Sequence, residues 1–373
     1  MDSTQVPSRY DFVGSFLRPA ELKEARAARE RGEITAEQLT VTEDQCITDL
    51  VAKQKAAGYQ VITDGEFRRS TWHLDFMWGF EGVGHQATQT GLPFHGEAAM
   101  IDDTFLTGKI RLEGEHPFVG HFRFVKALED DATVAKQTMP SPAQMFAQFW
   151  MPFSRSGTEP YYASAQELAD DIVAGYAAVL QQFFEAGCRV VQLDDCTWGM
   201  LADETGHVMY GVSPEELPAV QRFHKDLNNA AIAAAPEGMV VNTHVCRGNF
   251  HSTYANTGAY DPVADVLFGE ENVNAYYLEF DDERSGGFAP LAKVSGDKKV
   301  VLGLVTTKSP KLEDKETVIG RIHEAARYVP LERLCLSPQC GFASCEIGNK
   351  LTEEEQWAKL ALVREIAGEV WGL

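Results

Sequence analysis

The chain has 373 residues, with 33 Lys and Arg against 55 Asp and Glu, a formal net charge of −22. So acidic a chain argues against nucleic-acid backbones and anionic membranes as partners, since both recruit basic surface. Hydrophobic residues at 44% and charged residues at 24% describe an ordinary globular chain, not a disordered one. No stretch reaches the roughly 20 apolar residues that span a bilayer. The opening MDSTQVPSRY has neither the basic start nor the apolar run of a secretion signal, so the expected location is cytoplasmic. The seven cysteines are then expected to be reduced thiols, metal ligands or catalytic groups, not a disulfide framework.

In chain order, DFVGS (11–15) is a short apolar run followed by a helical stretch from Pro19 to Arg31. A second helix fits Thr42 to Ala57, and YQVITDGE (59–66) is an apolar strand ending in acids. ATVAKQTMPSP (132–142) reads as a strand, and a long helix fits Ala165 to Ala186. RVVQLDD (189–195), MVVNTHVCRG (239–248), NAYYLEFDD (274–282), KVVLGLVTTKS (299–309) and RLCLSPQCG (333–341) are further strands. Helices fit Pro214 to Ala235, Asp314 to Tyr328 and Thr352 to Ile366.

Eight β runs with helices between most of them predict an α/β fold, a (β/α)8 TIM barrel. A doubly wound sheet is the competitor, but no strand opens a glycine-rich phosphate loop. A plain barrel needs about 250 residues. The surplus points to one barrel domain over 1–373 with a cap insertion after the second strand, residues 67–131. Within it, GKIRLEG and GHFRFVKAL alternate like the arms of a β-hairpin.

Barrel chemistry sits at the C-terminal strand ends. These carry Gly14 and Ser15; Asp64, Gly65 and Glu66; Asp194, Asp195 and Cys196; His244 and Cys246; Glu279, Asp281 and Asp282; Thr306, Thr307 and Lys308; and Gln339, Cys340 and Gly341. His244 and Cys246 are two apart, so on a strand they face the same way. With Glu279 and Cys340 on neighbouring strand ends they form an N/S/O set suited to tetrahedral zinc. Two thiolates make a soft, low-charge centre, better fitted to binding a substrate thiol than to activating water. Bound there, the thiol becomes a thiolate nucleophile at neutral pH. Cys196 is the substitute ligand; Cys46, Cys188, Cys335 and Cys345 fit packing or loop positions.

Glu66 and Asp194 at the same mouth suit an amino group or acid–base work. Alternatively, Glu66 pairs at the surface with Arg68 and Arg69, and Asp195 caps the following turn. The aromatic residues from Phe146 to Phe153, and Trp72, His73 and Trp78, fit either the core or a ligand floor.

Taken together, FVGSFLRP, ITDGEFRRS, VVQLDD, THVCRGNF, YYLEFDDERSG and LSPQCGF resemble cobalamin-independent methionine synthase. The likeness is to its C-terminal catalytic half, and more closely to its short single-barrel relatives. The resemblance implies zinc on His244, Cys246, Glu279 and Cys340. It also implies homocysteine contacts at Val13, Gly14, Ser15, Glu66 and Asp194. The implied reaction is methyl transfer from 5-methyltetrahydropteroyl glutamate, or another methyl donor, to homocysteine, giving methionine. The partners are therefore a small thiol and a methyl or alkyl donor.

Three departures qualify it. Only one barrel is present, the family's proton-donating histidine aligns with Lys308, and its folate-contacting tryptophan segment is not matched in PSPAQMFAQFW. Alternatives are therefore alkyl transfer to another thiol, as in epoxyalkane:coenzyme M transferase, a methylcorrinoid donor, or a zinc-binding barrel without turnover. Lys308 is the candidate catalytic group on the donor side.

Overall fold

The computed structural model describes residues 2–373. Its strands are β1 (Val61–Ile62), β2 (Glu81–Gln86), β3 (Leu92–Phe94), β4 (Glu97–Ala99), β5 (Asp103–Arg111), β6 (Val134–Ala135), β7 (Gln137–Pro140), β8 (Val190–Asp195), β9 (Val240–Val245), β10 (Ala275–Glu279), β11 (Lys299–Val305) and β12 (Leu334–Pro338). Strands β7 to β12 form one curled parallel sheet in chain order, and β1 pairs in parallel with β6. Lys136 alone separates β6 from β7, so residues 134–140 run as one strand joining the two sheets. The result is a parallel sheet of seven strands curled as in a TIM barrel. Strands β8, β9 and β10 are buried at every position, as parallel strands covered on both faces must be.

The first run, residues 11–15, closes the circle differently from expectation. Residues 11–15 form no ladder; contact is a single parallel bridge from Tyr10 to Leu336. The reason lies in three carbonyls claimed by side chains. Phe12 O accepts from Lys136 Nζ, Val13 O from Gln192 Nε2, and Gly14 O from Thr63 Oγ1. Inside, Val61, Val134, Val190 and Val240 are the first residues of their strands. With Val6 they plug the N-terminal end of the barrel. Polar side chains are thereby left to the opposite rim.

The flanking helices follow the sequence, with two ends shifted by five or more residues. The second starts at Ala36, because Thr35 and Gln38 make a reciprocal capping box. The last runs from Glu353 to Trp371, past Ile366, and stops at left-handed Gly372.

The insertion corrects the expected hairpin. GKIRLEG lies largely in β5, whose antiparallel partner is β2. GHFRFVKAL instead falls in a helix, Pro117–Ala127. Its buried Phe118, Val119, Phe122 and Val125 follow helical spacing, Pro117 sits in its first turn, and His116 caps Phe118 N–H. A further hairpin, β3–β4, was not anticipated.

Candidate metal and thiol site

His244 lies near the end of β9, Cys246 just past it, Glu279 ends β10, and Cys340 follows β12 by two residues. One donor atom from each lies within 4.8 Å of the others, and all four residues are buried. The Nδ1 of His244 is 3.1 Å from Tyr277 O. A carbonyl only accepts, so Nδ1 carries the proton and Nε2 keeps its lone pair. Nε2 is buried without a hydrogen-bond partner, and so is Glu279 Oε2. Glu279 Oε1 accepts from Arg247 N–H at 2.9 Å, which fixes the carboxylate.

The sulfurs of Cys246 and Cys340 are 3.7 Å apart. Two thiolates at about 2.3 Å from one tetrahedral zinc stand about 3.8 Å apart, so the spacing fits. Contact between the thiols and burial push Cys340 well above its usual pKa, and contact with Cys196 and burial do the same to Cys246. A divalent cation reverses that cost by favouring the thiolates. The donor set, the spacing and the two orphaned buried atoms therefore all suit a metal.

Beside the cluster is a chamber of about 190 Å³. Val13, Ser15, Glu66, Asp194 and Cys196 line it together with His244, Cys246 and Cys340. Glu66 follows β1 in the left-handed region, φ 62°, a strained turn that aims its carboxylate inward. Its Oε1 accepts from Thr138 Oγ1 at 2.8 Å and lies 3.2 Å from Arg69, while Oε2 has no partner. Asp194 accepts from Gln192 Nε2 at 2.8 Å. Burial, then repulsion from Glu66, pushes the Asp194 carboxyl well above the usual range. Burial also raises Glu66, against the pull of Arg69 and Arg18. Two desolvated carboxylates in one chamber are stabilised by an incoming cationic group.

The structure decides between the readings open for several residues. The Glu66–Arg69 pair is buried, at 3% and 1% exposure, not a surface pair, and Arg68 turns instead to Glu43 and Asp44. Asp195 is a cap: its Oδ1 accepts from both N–H and Oγ1 of Thr197. Gly14 contributes backbone, its carbonyl held by Thr63. Lys308 is buried with Nζ 3.8 Å from Glu279 and 3.7 Å from Asp281, and it is not on the chamber wall. Phe146 and Phe149 belong to the core, and Phe146 packs on Phe223 at 4.9 Å. Trp72 and His73 stack at 4.4 Å and line the chamber. Trp78 stacks instead on His85.

The chamber roof was missed. Leu92 and Phe94 of β3 and Ala99 of β4 cover it, and the loop carrying Gly248, Asn249 and Asn256 forms a side wall. His95 N–H donates to Tyr254 O and Thr253 Oγ1 to His95 O, which fastens hairpin to loop. The usable signal was GLPFHGEA, with turn-forming glycines flanking short apolar arms.

Residues 160–369 match the family described as the cobalamin-independent synthase, catalytic domain. The chain belongs to that family. It is 44% identical to protein YxjH of Bacillus subtilis strain 168, over 98% of this chain and 96% of the relative. A solved structure, a candidate vitamin-B12-independent methionine synthase from Listeria monocytogenes, is 39% identical. Its TM-score is 0.78, with 98% of this chain and 99% of that one covered. The B12-independent methionine synthase of Shewanella sp. W3-18-1, solved with selenomethionine, shares the fold at TM-score 0.72 and 18% identity, over 98% of both chains.

Proposed function

We propose that this chain is a zinc-dependent thiol methyltransferase that converts homocysteine to methionine. The observation that carries the reading is one chamber walled by the buried pair Glu66 and Asp194 and by His244, Cys246 and Cys340, which cluster with Glu279. Those four side chains would hold zinc, which supplies a Lewis acid that lowers the pKa of a substrate thiol. Glu66 and Asp194 accept hydrogen bonds from the substrate ammonium and become ionised on doing so. Their grip orients the thiol toward the donor set and leaves its far side open to a methyl group. Leu92, Phe94 and Ala99 exclude water above it. Lys308 offsets the charge of Glu279 and Asp281 from behind.

A sulfonate thiol such as coenzyme M fits less well. Among the described residues, no Lys or Arg lines the chamber, and two carboxylates do. The family, with methionine synthases among its relatives, also supports an amino-acid thiol.

Zinc-edge X-ray absorption with and without homocysteine tests this. The expected result is bound zinc that gains one sulfur neighbour on adding homocysteine. Zinc with an unchanged sulfur count would exclude homocysteine as the thiol, and protein prepared with zinc that retains none would remove the metal reading.

A further inference from the structure

The proposed function gives Glu66 a grip on the substrate ammonium, and the residues behind Glu66 bear on how selective that grip is. Resting on the thiol methyltransferase reading, we propose that Arg69, seated on Phe118 of the insertion, is a positioning residue through which the chamber selects an amine-bearing thiol over the same thiol without its amino group.

The first ground is geometry. Arg69 is buried and stands behind the chamber wall, whereas Glu66 lines it. Arg69 Nη1 lies 3.2 Å from Glu66 Oε1, and Thr138 Oγ1 donates to the same oxygen at 2.8 Å. Arg69 Nη2 donates to Thr138 O at 2.7 Å, so the three residues close a triangle between the turn after β1 and strand β7. Both donors thus sit on Oε1, and Oε2 is left without a partner among the described residues. A buried carboxylate oxygen with no donor is costly, and the N–H of an incoming ammonium supplies one. Arg69 also holds the turn itself. Its backbone N–H donates to Glu66 O at 3.0 Å, and Arg18 Nη2 donates to that carbonyl at 2.8 Å. Together they fix the left-handed φ of 62° at Glu66.

The second ground is charge. Two desolvated carboxylates in one chamber repel, so ionising both for a single ammonium is unfavourable without a further cation. Among the described residues, Arg69 is the cation paired with the Glu66 carboxylate. Burial raises that carboxyl, and Arg69 is the foremost group holding it down, followed by Arg18. The other nearby cations are directed elsewhere. Arg18 donates to the carbonyls of Phe16, Ala343, Glu66 and Arg69. Lys136 is turned to Asp11, Phe12 O and Gln192, and Lys308 lies beside Glu279 and Asp281.

The third ground is the seat of Arg69. Its guanidinium lies 4.4 Å over the ring of Phe118, which is buried in the first turn of helix Pro117–Ala127. A desolvated guanidinium on a ring face is held there by the ring's quadrupole. The insertion therefore serves the chamber twice: as its roof through Leu92 and Phe94, and as the backing of Glu66 through Phe118.

The test is calorimetric binding of homocysteine and of 4-mercaptobutanoate, the same thiol acid without its amino group, to zinc-loaded protein. Wild type, Arg69→Met and Phe118→Leu are compared, with elemental analysis of zinc in each. Wild type is expected to prefer homocysteine by roughly 10–100-fold, the value of a hydrogen bond to a charged group. Arg69→Met should remove most of that preference by weakening homocysteine alone, with zinc content and 4-mercaptobutanoate affinity unchanged. Phe118→Leu keeps the ion pair and should lower the preference by roughly 2–30-fold, the range of a cation–π contact. It decides the matter should Arg69→Met fail to fold. An equal loss for both thiols would show a merely structural role and overturn the proposal, as would an undiminished preference in the deciding variant. Wild type that binds both thiols equally would overturn the proposal and leave thiol binding at zinc standing. Wild type that binds no homocysteine would overturn the methyltransferase reading as well.

Discussion

Cys246 and Cys340 stand 94 positions apart in the chain, yet their sulfurs meet at 3.7 Å. Each arrives on the rim from its own strand, so barrel closure itself assembles the pair. Cys340→Ser is expected to lower bound zinc by more than the 10–100-fold typical of losing a supporting hydrogen bond around a metal ligand. Activity should fall with it. Cys335→Ser is the control, since Cys335 is buried inside the barrel with Val13, Tyr277 and Val301. Elemental analysis of both variants decides the matter: equal zinc in the two would remove Cys340 from the ligand set.

Asp194 separates substrate binding from metal binding. Asn in its place keeps an acceptor for Gln192 but loses the charge offered to an ammonium. A hydrogen bond to a charged group is worth about 1.5–3 kcal/mol. Asp194→Asn should therefore weaken homocysteine binding by roughly 10–100-fold with zinc content unchanged. The raised carboxyl sets the pH trend. Falling pH protonates it, so homocysteine affinity in the wild type should drop as pH falls, and the variant should show a flatter curve. Calorimetry across pH reads both effects, and unchanged affinity in the variant would remove the ammonium role.

Why the sequence disclosed the floor of this site and not its roof has a physical explanation. Strands such as VVQLDD are apolar until their last residues, because both sheet faces are covered and only the rim meets ligand. A residue's role can therefore be read from its place along the strand, which is how His244, Cys246, Glu279 and Cys340 stood out. The roof depends on Leu92 and Phe94 meeting the loop near Tyr254, a contact with no local periodicity. Helix Pro117–Ala127 was misread because Phe122 and Phe124 alternate with Arg123, which imitates a strand. The decisive cues there were Pro117 and the His116 cap. The first run looked like a strand, and its apolar residues are indeed buried. What defeated the ladder was side chains from Lys136, Gln192 and Thr63 taking its carbonyls.

One of those side chains carries a stability prediction. Lys136 and Asp11 form a fully buried pair at 3.4 Å inside the barrel. Phe12 O and Gln192 complete the ammonium's contacts, while Tyr277 and Phe12 N–H donate to the carboxylate. Removing one partner of such a pair leaves a buried charge and typically costs about 3–5 kcal/mol. Lys136→Met should show a loss of that order in chemical denaturation. Adding Asp11→Asn should recover part of it, because the stranded charge is gone. A double variant no better than Lys136→Met alone would show that the carbonyl contacts, not the ion pair, set the cost.

Glu271 gives a pH signature remote from the metal cluster. It is buried, receives Asn228 on Oε1, and leaves Oε2 unpartnered; burial and then Asp195 push its carboxyl up to about 8. The folded state thus binds a proton that the unfolded chain has lost above about pH 4.5. Its stabilising effect is complete below that pH and disappears as pH rises through about 8. Across that window each pH unit removes about 1.4 kcal/mol of stability, so several kcal/mol are at stake. Glu271→Gln keeps the shape and an acceptor for Asn228 without the proton. Its melting temperature should match the wild type near pH 5 and exceed it by several degrees near pH 8.5, as thermal melts at the two pH values would show. A constant difference at both would mean that Glu271 is ionised in the folded protein, held by Asn228 and a neighbouring donor.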